Sequence, residues 1–334
     1  MAESATASPA PSPSRPSGRP GPLSAAERRA AFGPTYGALA ALVVLVGLNA
    51  IFTPNFATAS NLWNVLLQVA TVLLVGVGMT FVIATRGVDL SVGSVMAVAG
   101  ALAAVLLPRG LGVAIVGGLL GALAIGSLNG ALIAYLPVQP IVVTLATLIA
   151  GRGLAQVISH DGELVTIDDP SFLVLGRGHA GPVPTQVLVA LAVVGVAAAA
   201  LRSTAFGRYV LAAGGNPAAA RLAGVPVRRT LITVYAASAL LAGVAGLIEA
   251  ARLGASDAAK IGLNVELDAI AAVVVGGTAL SGGRATVLGT VVGALIMQVI
   301  ATSFNMLLVP YSWSLALKAA IILVAVYLQR PRRV

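Results

Sequence analysis

Cysteine is absent from the 334-residue chain. No disulfide framework and no cysteine-ligated metal can contribute to the fold, and the redox compartment is left open. Histidine occurs twice, at His160 and His179, both in one polar loop, which argues against a histidine-rich metal site. Charge is scarce too: Asp, Glu, Lys and Arg make up 9% of the chain, where soluble domains carry about 25%. An ordinary soluble core is excluded. The chain also lacks a G-x-x-x-x-G-K-[ST] loop for cradling phosphates, an H-E-x-x-H zinc pair and a G-x-S-x-G nucleophile turn. Its few charges do not repeat with the regular arginine spacing of a voltage sensor. These absences remove nucleotide hydrolysis and the common hydrolytic chemistries from this chain, and they leave transport.

What is present is apolar length. Hydrophobic residues make up 58% of the chain and the mean hydropathy is +0.98. Runs of membrane length recur from Tyr36 onward, which predicts an all-α polytopic membrane protein. The net charge of +9 would suggest nucleic acid in a soluble protein. Here the arginines cluster in particular loops, as the positive-inside rule requires, and no nucleic-acid partner is expected. Arginine outnumbers lysine eighteen to two, which reads as genome composition.

Residues 1–33, rich in Ala, Ser, Pro and Gly, are expected to form a disordered cytoplasmic tail. The apolar run that follows has the form of a signal-anchor, with nothing to suggest removal. Ten spans are expected within one transmembrane domain, 34–330, at about 35–52, 63–85, 92–107, 112–135, 141–158, 185–201, 230–250, 266–280, 285–303 and 313–329. Eleven or nine would hold if an interrupted segment is re-entrant. Leu136-Pro137-Val138-Gln139-Pro140 makes a firm boundary, because proline removes a backbone donor and restricts its predecessor. The loop 159–184 is net acidic, with Asp161, Glu163, Asp168 and Asp169 against Arg177, and reads as external. Residues 202–229 carry Arg202, Arg208, Arg221, Arg228 and Arg229 with no acid, the strongest cytoplasmic signal in the chain. The basic tail 331–334 puts the C-terminus on the same side. Both termini are thus expected in the cytoplasm.

Arg86-Gly87-Val88-Asp89-Leu90-Ser91-Val92-Gly93-Ser94 interrupts two apolar runs. One reading is a short loop capped by Asp89 or Ser91. The other is a functional helix break, which a membrane protein tolerates only where protein or a water-filled cavity satisfies the backbone. Leu90–Ser94 has a partial echo in Leu280-Ser281-Gly282-Gly283-Arg284, which internal duplication or small-residue packing would each explain. In the basic loop, Asn216 as N-cap, Pro217 at the first helical position and Gly224 as terminator, with Pro226 beyond, predict a complete short helix. It is either a handle for a partner or a helix lying on the bilayer. Polar residues at membrane depth are costly and usually face a pathway. Asn129 is the best interior case; Arg152, Gln156, Glu249, Glu266, Asp268, Gln298, Asn305 and Lys318 are others. Glu266 and Asp268 are two apart, hence on different helix faces.

The stretch Thr85–Ser94 resembles the signature of the ribose-type permeases of bacterial ABC sugar importers. Leu128-Asn129-Gly130, Val138-Gln139-Pro140-Ile141-Val142-Val143-Thr144-Leu145, Ala213–Ala220 and Gly276-Gly277-Thr278-Ala279-Leu280-Ser281-Gly282-Gly283-Arg284 agree with that family in the same order. Gly254–Ala259, Val265–Ile270 and Ala150–Gln156 resemble its galactofuranose-importer branch. Arg86 departs from the pattern, standing where many relatives have a small residue.

The resemblance implies an ABC importer permease fold in the bacterial cytoplasmic membrane, with no catalysis and no cofactor on this chain. ATP and Mg would be bound by a separate ABC ATPase subunit. An extracytoplasmic sugar-binding protein and a second permease, copy or paralogue, would complete the assembly. The helix at Asn216, Pro217, Ala220, Arg221 and Gly224 would couple to the ATPase. Asn129, Asp89, Ser91, Glu266 and Asp268 would belong to the sugar pathway or its gate. A stand-alone ion-coupled sugar carrier is the alternative.

Overall fold

The computed structural model describes residues 25–136 and 138–328. The tail through residue 24, Pro137 of the proline boundary and the basic C-terminus from residue 329 lie outside the described residues. The helices are α1 (Ala25–Phe52), α2 (Ala59–Ala84), α3 (Val92–Leu106), α4 (Leu111–Tyr135), α5 (Pro140–Ile158), α6 (Pro170–Arg177), α7 (Thr185–Ser203), α8 (Ala205–Gly215), α9 (Pro217–Leu222), α10 (Val227–Leu253), α11 (Val265–Val275), α12 (Val287–Met306) and α13 (Tyr311–Leu328).

Each expected span has a helix, but they are not equal. Among the described residues, eight are long and apolar enough to cross a membrane. The tenth expected span, α13, has a shorter apolar stretch, Ser312–Ala325. The eighth, α11, has 11 residues, about 16 Å, and cannot cross alone. Its flanks, 254–264 and 276–286, are largely non-helical. The chain is therefore an all-α membrane protein with interrupted and short segments, its only strands being two short antiparallel pairs among the described residues.

α2 is the most buried of these spans, packing against α7, α10, α11 and α12. Its span is 78% buried, against 11% for α1 at the periphery. In lipid the apolar pattern does not mark which face of a helix packs, because lipid tails are as apolar as leucine; small residues mark it instead. On α4 the buried positions are Ala114, Gly118, Ala122, Gly126, Asn129 and Gly130, one face at i, i+4 spacing. Much of that face lies on α10, where Gly126 meets Ala239 and the Tyr235 carbonyl, and Gly130 meets the Ile232 backbone, while Gly118 also meets the Ala99 carbonyl of α3. The large exposed side chains, such as Val116, Leu120 and Leu128 on the same helix, form the lipid-facing surface.

The acidic loop 159–184 is more ordered than expected. Asp169 caps α6 by accepting from the backbone N–H of Ser171 (2.8 Å) and Phe172 (3.3 Å), with Pro170 at the first helical position. Phe172 is fully buried, and Gly176 lets α6 meet the α10 backbone around Ile248 and Arg252. Strand β1 (Val165–Thr166) pairs antiparallel with a second short strand, Ala255–Ser256, tying this loop to the segment beyond α10.

Candidate functional site

Several backbone groups freed at the first helix break find partners within the protein. Thr85, Arg86 and Gly87 donate their N–H groups back to the last turn of α2, and the Val88 carbonyl accepts from Thr144 Oγ1 at 3.1 Å. The Asp89 carboxylate, 1% exposed, accepts from the Ser91 N–H (3.0 Å) and the Ser91 hydroxyl (2.6 Å) on Oδ1. Its Oδ2 accepts from Ser238 Oγ of α10 at 3.3 Å. Of the two expected caps it is Asp89 whose side chain takes an orphan N–H of α3; Ser91, at the N-cap position, makes no side-chain cap bond.

Asn129 joins this network. Its amide donates from Nδ2 to Ser91 Oγ (3.0 Å) and accepts on Oδ1 from Thr147 Oγ1 (2.6 Å). Ser94 Oγ donates to the carbonyls of Ser91 (2.8 Å) and Thr147 (3.4 Å). Asp89, Ser91, Ser94, Asn129, Thr144 and Ser238 are all at 1% exposure or less. Three of the expected pathway residues thus meet in one buried polar joint between α3, α4, α5 and α10. The loop-versus-functional-break alternatives merge here: Asp89 is a cap, and it caps inside a packed interior. Thr144, Thr147 and Ser238 were not singled out by chemistry. Thr144 lies in a motif quoted above, whereas Ser238 sits unmarked in an apolar helix.

Loop charges put this turn at the basic, cytoplasmic end; the structure splits it. Arg86 lies at the basic loop, bonded to Gly214 and Gly215. Ser238, to which Asp89 is bonded, lies roughly 17 Å along α10, a helix of about 40 Å. The break therefore rises from the basic end to mid-helix depth, and α3 starts inside the bundle.

Glu266 and Asp268 sit apart from that joint and from each other, as their spacing requires. Asp268 pairs with Lys318 of α13 at 2.7 Å, so Lys318 is buried against an acid. Glu266 lies at the start of α11, where the segment 254–264 dips to meet α3. Gly93 and Gly262 touch there so closely that a methyl on either would collide with the other's backbone, and one on Gly93 would also lie 2.6 Å from Glu266 Oε2. Arg152 of α5 holds the dip by donating to the carbonyls of Ala258 (2.9 Å) and Ile261 (2.7 Å), within electrostatic reach of Glu266, Glu249 and Asp257. Arg152→Gln is expected to lower stability by about 1–2 kcal/mol through the freed carbonyls and lost cation. Faster amide exchange confined to 255–264, at unchanged exchange in α2, would register it.

The basic loop contains the expected short helix. Asn216 Oδ1 accepts from the N–H groups of Ala218 and Ala219, both at 3.1 Å, Pro217 opens α9, and Gly224 ends it at φ 79°. Ala220 is buried with Ala213 and Val227, which fixes α9 to α8 and α10. Ala218, Ala219, Arg221 and Leu222 face outward, Leu222 at 92% exposure.

A buried break, a half-length helix and a second break beyond it define a polytopic helical permease. Residues 61–326 match the family model described as branched-chain amino acid transport system / permease component, and the chain belongs to that family. It is 39% identical over 300 residues to the ribose import permease protein of Escherichia coli K12, covering 88% of this chain and 93% of that one. It is 39% identical over 312 residues to the galactofuranose transporter permease protein of the same strain (88% and 89% covered). It is 37% identical over 302 residues to the L-arabinose ABC transporter permease protein of Azospirillum brasilense (89% and 88% covered). The resemblance drawn from the motifs is borne out at the level of the family. No solved structure matches the chain significantly.

Proposed function

We propose that this chain is the membrane-spanning permease subunit of an ATP-driven ABC importer that carries a monosaccharide of the furanose or pentose class into the cytoplasm. The observation that carries this reading is the junction of two helix breaks with a capped helix in the basic loop, in a chain similar along most of its length to sugar-import permeases. The apolar Leu222 and the cationic Arg221 on the outer face of α9 suit a groove on a cytoplasmic partner. That partner is the ATPase subunit, where ATP and Mg are bound. An extracytoplasmic binding protein delivers the sugar, and a second permease, copy or paralogue, completes the pore. Both termini lie in the cytoplasm. Asp89, Ser91 and Asn129 form the joint on which a gate turns, and Glu266 and Asp268 belong to the pathway beside the dipping segment.

Right-side-out vesicles from the native host, loaded with ATP and Mg and supplied externally with the host's extracytoplasmic proteins, test this with labelled D-ribose, D-galactose, D-fructose and L-arabinose. Uptake of at least one sugar should require this chain and internal ATP, and should persist when a protonophore collapses the proton gradient. Uptake that the protonophore abolishes while ATP is maintained would overturn the reading in favour of a stand-alone carrier.

A further inference from the structure

Three segments from distant parts of the chain meet at the basic end. They are the end of α2 with the first break, the end of α8, and the second break. The Gly283 N–H donates to the Ala84 carbonyl at 2.9 Å, so the second break is hydrogen-bonded to the end of α2, where the first break starts. Gly214 packs against both, with no room for a methyl between Ala84 and Gly283. Arg86 sits at the centre in a left-handed backbone conformation, φ 67°. Its Nε donates to the Gly214 carbonyl and its Nη2 to the Gly215 carbonyl. These are the last two residues of α8, whose carbonyls lack intrahelical partners and carry the negative end of the helix dipole. A guanidinium meets them with two donors in a fixed fork and a permanent charge, which an ammonium cannot reproduce. The arginine stem passes against Gly282, itself at φ 76°. Asn216, the cap of α9, follows Gly215 directly.

We propose that Arg86 is the positioning residue that ties displacement of α9 to both helix breaks; the inference rests on the reading of α9 as the ATPase contact. One side chain grips the peptide groups just before α9 while its backbone belongs to the first break and its stem abuts the second. A push on α9 is passed through Gly214 and Gly215 to Arg86, and from there to the Asp89 joint and to the Gly282–Gly283 turn. Without the fork, α9 would still dock, because its cap and its packing on Ala213 and Val227 are separate from Arg86.

The test uses proteoliposomes containing the complete complex with its own ATPase and binding protein. Sugar moved and ATP hydrolysed are measured together, with the sugar that the wild type transports. Arg86→Gln is expected to assemble and to hydrolyse ATP at the wild-type rate. The sugar moved per ATP should fall about fivefold or more, the lower end of ordinary coupling between sites. Arg86→Lys, which keeps the charge and the stem but not the fork, should recover part of that ratio. If Arg86→Gln fails to assemble, Arg86→Lys carries the test. A wild-type ratio in whichever variant carries the test overturns the proposal while leaving the importer reading intact. If the wild-type complex itself moves no sugar on ATP, the importer reading fails and the Arg86 proposal falls with it.

Discussion

Asp89→Ala is expected to destabilise the protein by about 2–4 kcal/mol, since each buried donor left without an acceptor costs about 1–3 kcal/mol. Three donors depend on this carboxylate: the Ser91 N–H, the Ser91 hydroxyl and the Ser238 hydroxyl. The two hydroxyls can turn to nearby helix carbonyls, which limits the total. The Ser91 N–H cannot turn, because it belongs to the orphaned first turn of α3. Asp89→Asn keeps one carbonyl oxygen for Ser91 and offers an amide to Ser238 Oγ, so it should lose less than about 1 kcal/mol. Thermal melting of the detergent-solubilised protein, followed by retention of the monodisperse peak, separates the two variants. Equal melting of Asp89→Ala and wild type would mean that the cap does not hold the break. The same pair informs function: if the joint is a hinge of the gate, Asp89→Asn should transport with altered rate at near-normal stability.

Helix positions were legible because apolar length and proline or glycine boundaries are local properties. Most expected spans begin and end close to observed helices, although α1 starts ten residues before 35 and α11 stops five short of 280, and α9 is legible from Asn216-Pro217 and Gly224 alone. An equivalent pair of cap and proline at Asp169-Pro170 marks α6, inside a loop whose acidic charge is the stronger signal. Faces and depths were much less legible. On α4 the packed side is told from the lipid side only by small residues, since both sides are apolar. Charge asymmetry reports which loops are basic but not how far a broken segment climbs, so it puts the whole turn at the basic end although Asp89 lies level with Ser238. The partners of Asn129 come from α3 and α5, and such long-range polar contacts leave no spacing signature. Lys318 shows the same limit: in sequence it is one more polar residue at membrane depth, and its partner, Asp268, lies fifty residues away.

Gly214→Ala is expected to abolish transport and to lower the amount of folded protein, through crowding that a packed interior relieves only at about 1–3 kcal/mol or more. The added methyl would run into the Ala84 carbonyl oxygen and lie 2.7 Å from the Gly283 nitrogen, both backbone atoms that no rotamer change can move away. To admit it, α8 must separate from the end of α2 or from the second break, and either shift breaks the Gly283–Ala84 hydrogen bond or draws the Gly214 carbonyl away from Arg86. Its neighbour provides the control. A methyl on Gly215 would find nothing nearer than the Gly283 Cα at 4.0 Å, so Gly215→Ala should fold and transport as the wild type does. Folded yield from fluorescence-detected gel filtration, and uptake at matched expression, distinguish the pair. Two adjacent glycines before one helix cap should thus differ sharply, because only one of them is enclosed by the junction. Indistinguishable behaviour of the two alanine variants would show that α8 does not close onto the helix breaks, and would remove the physical route by which α9 reaches Asp89.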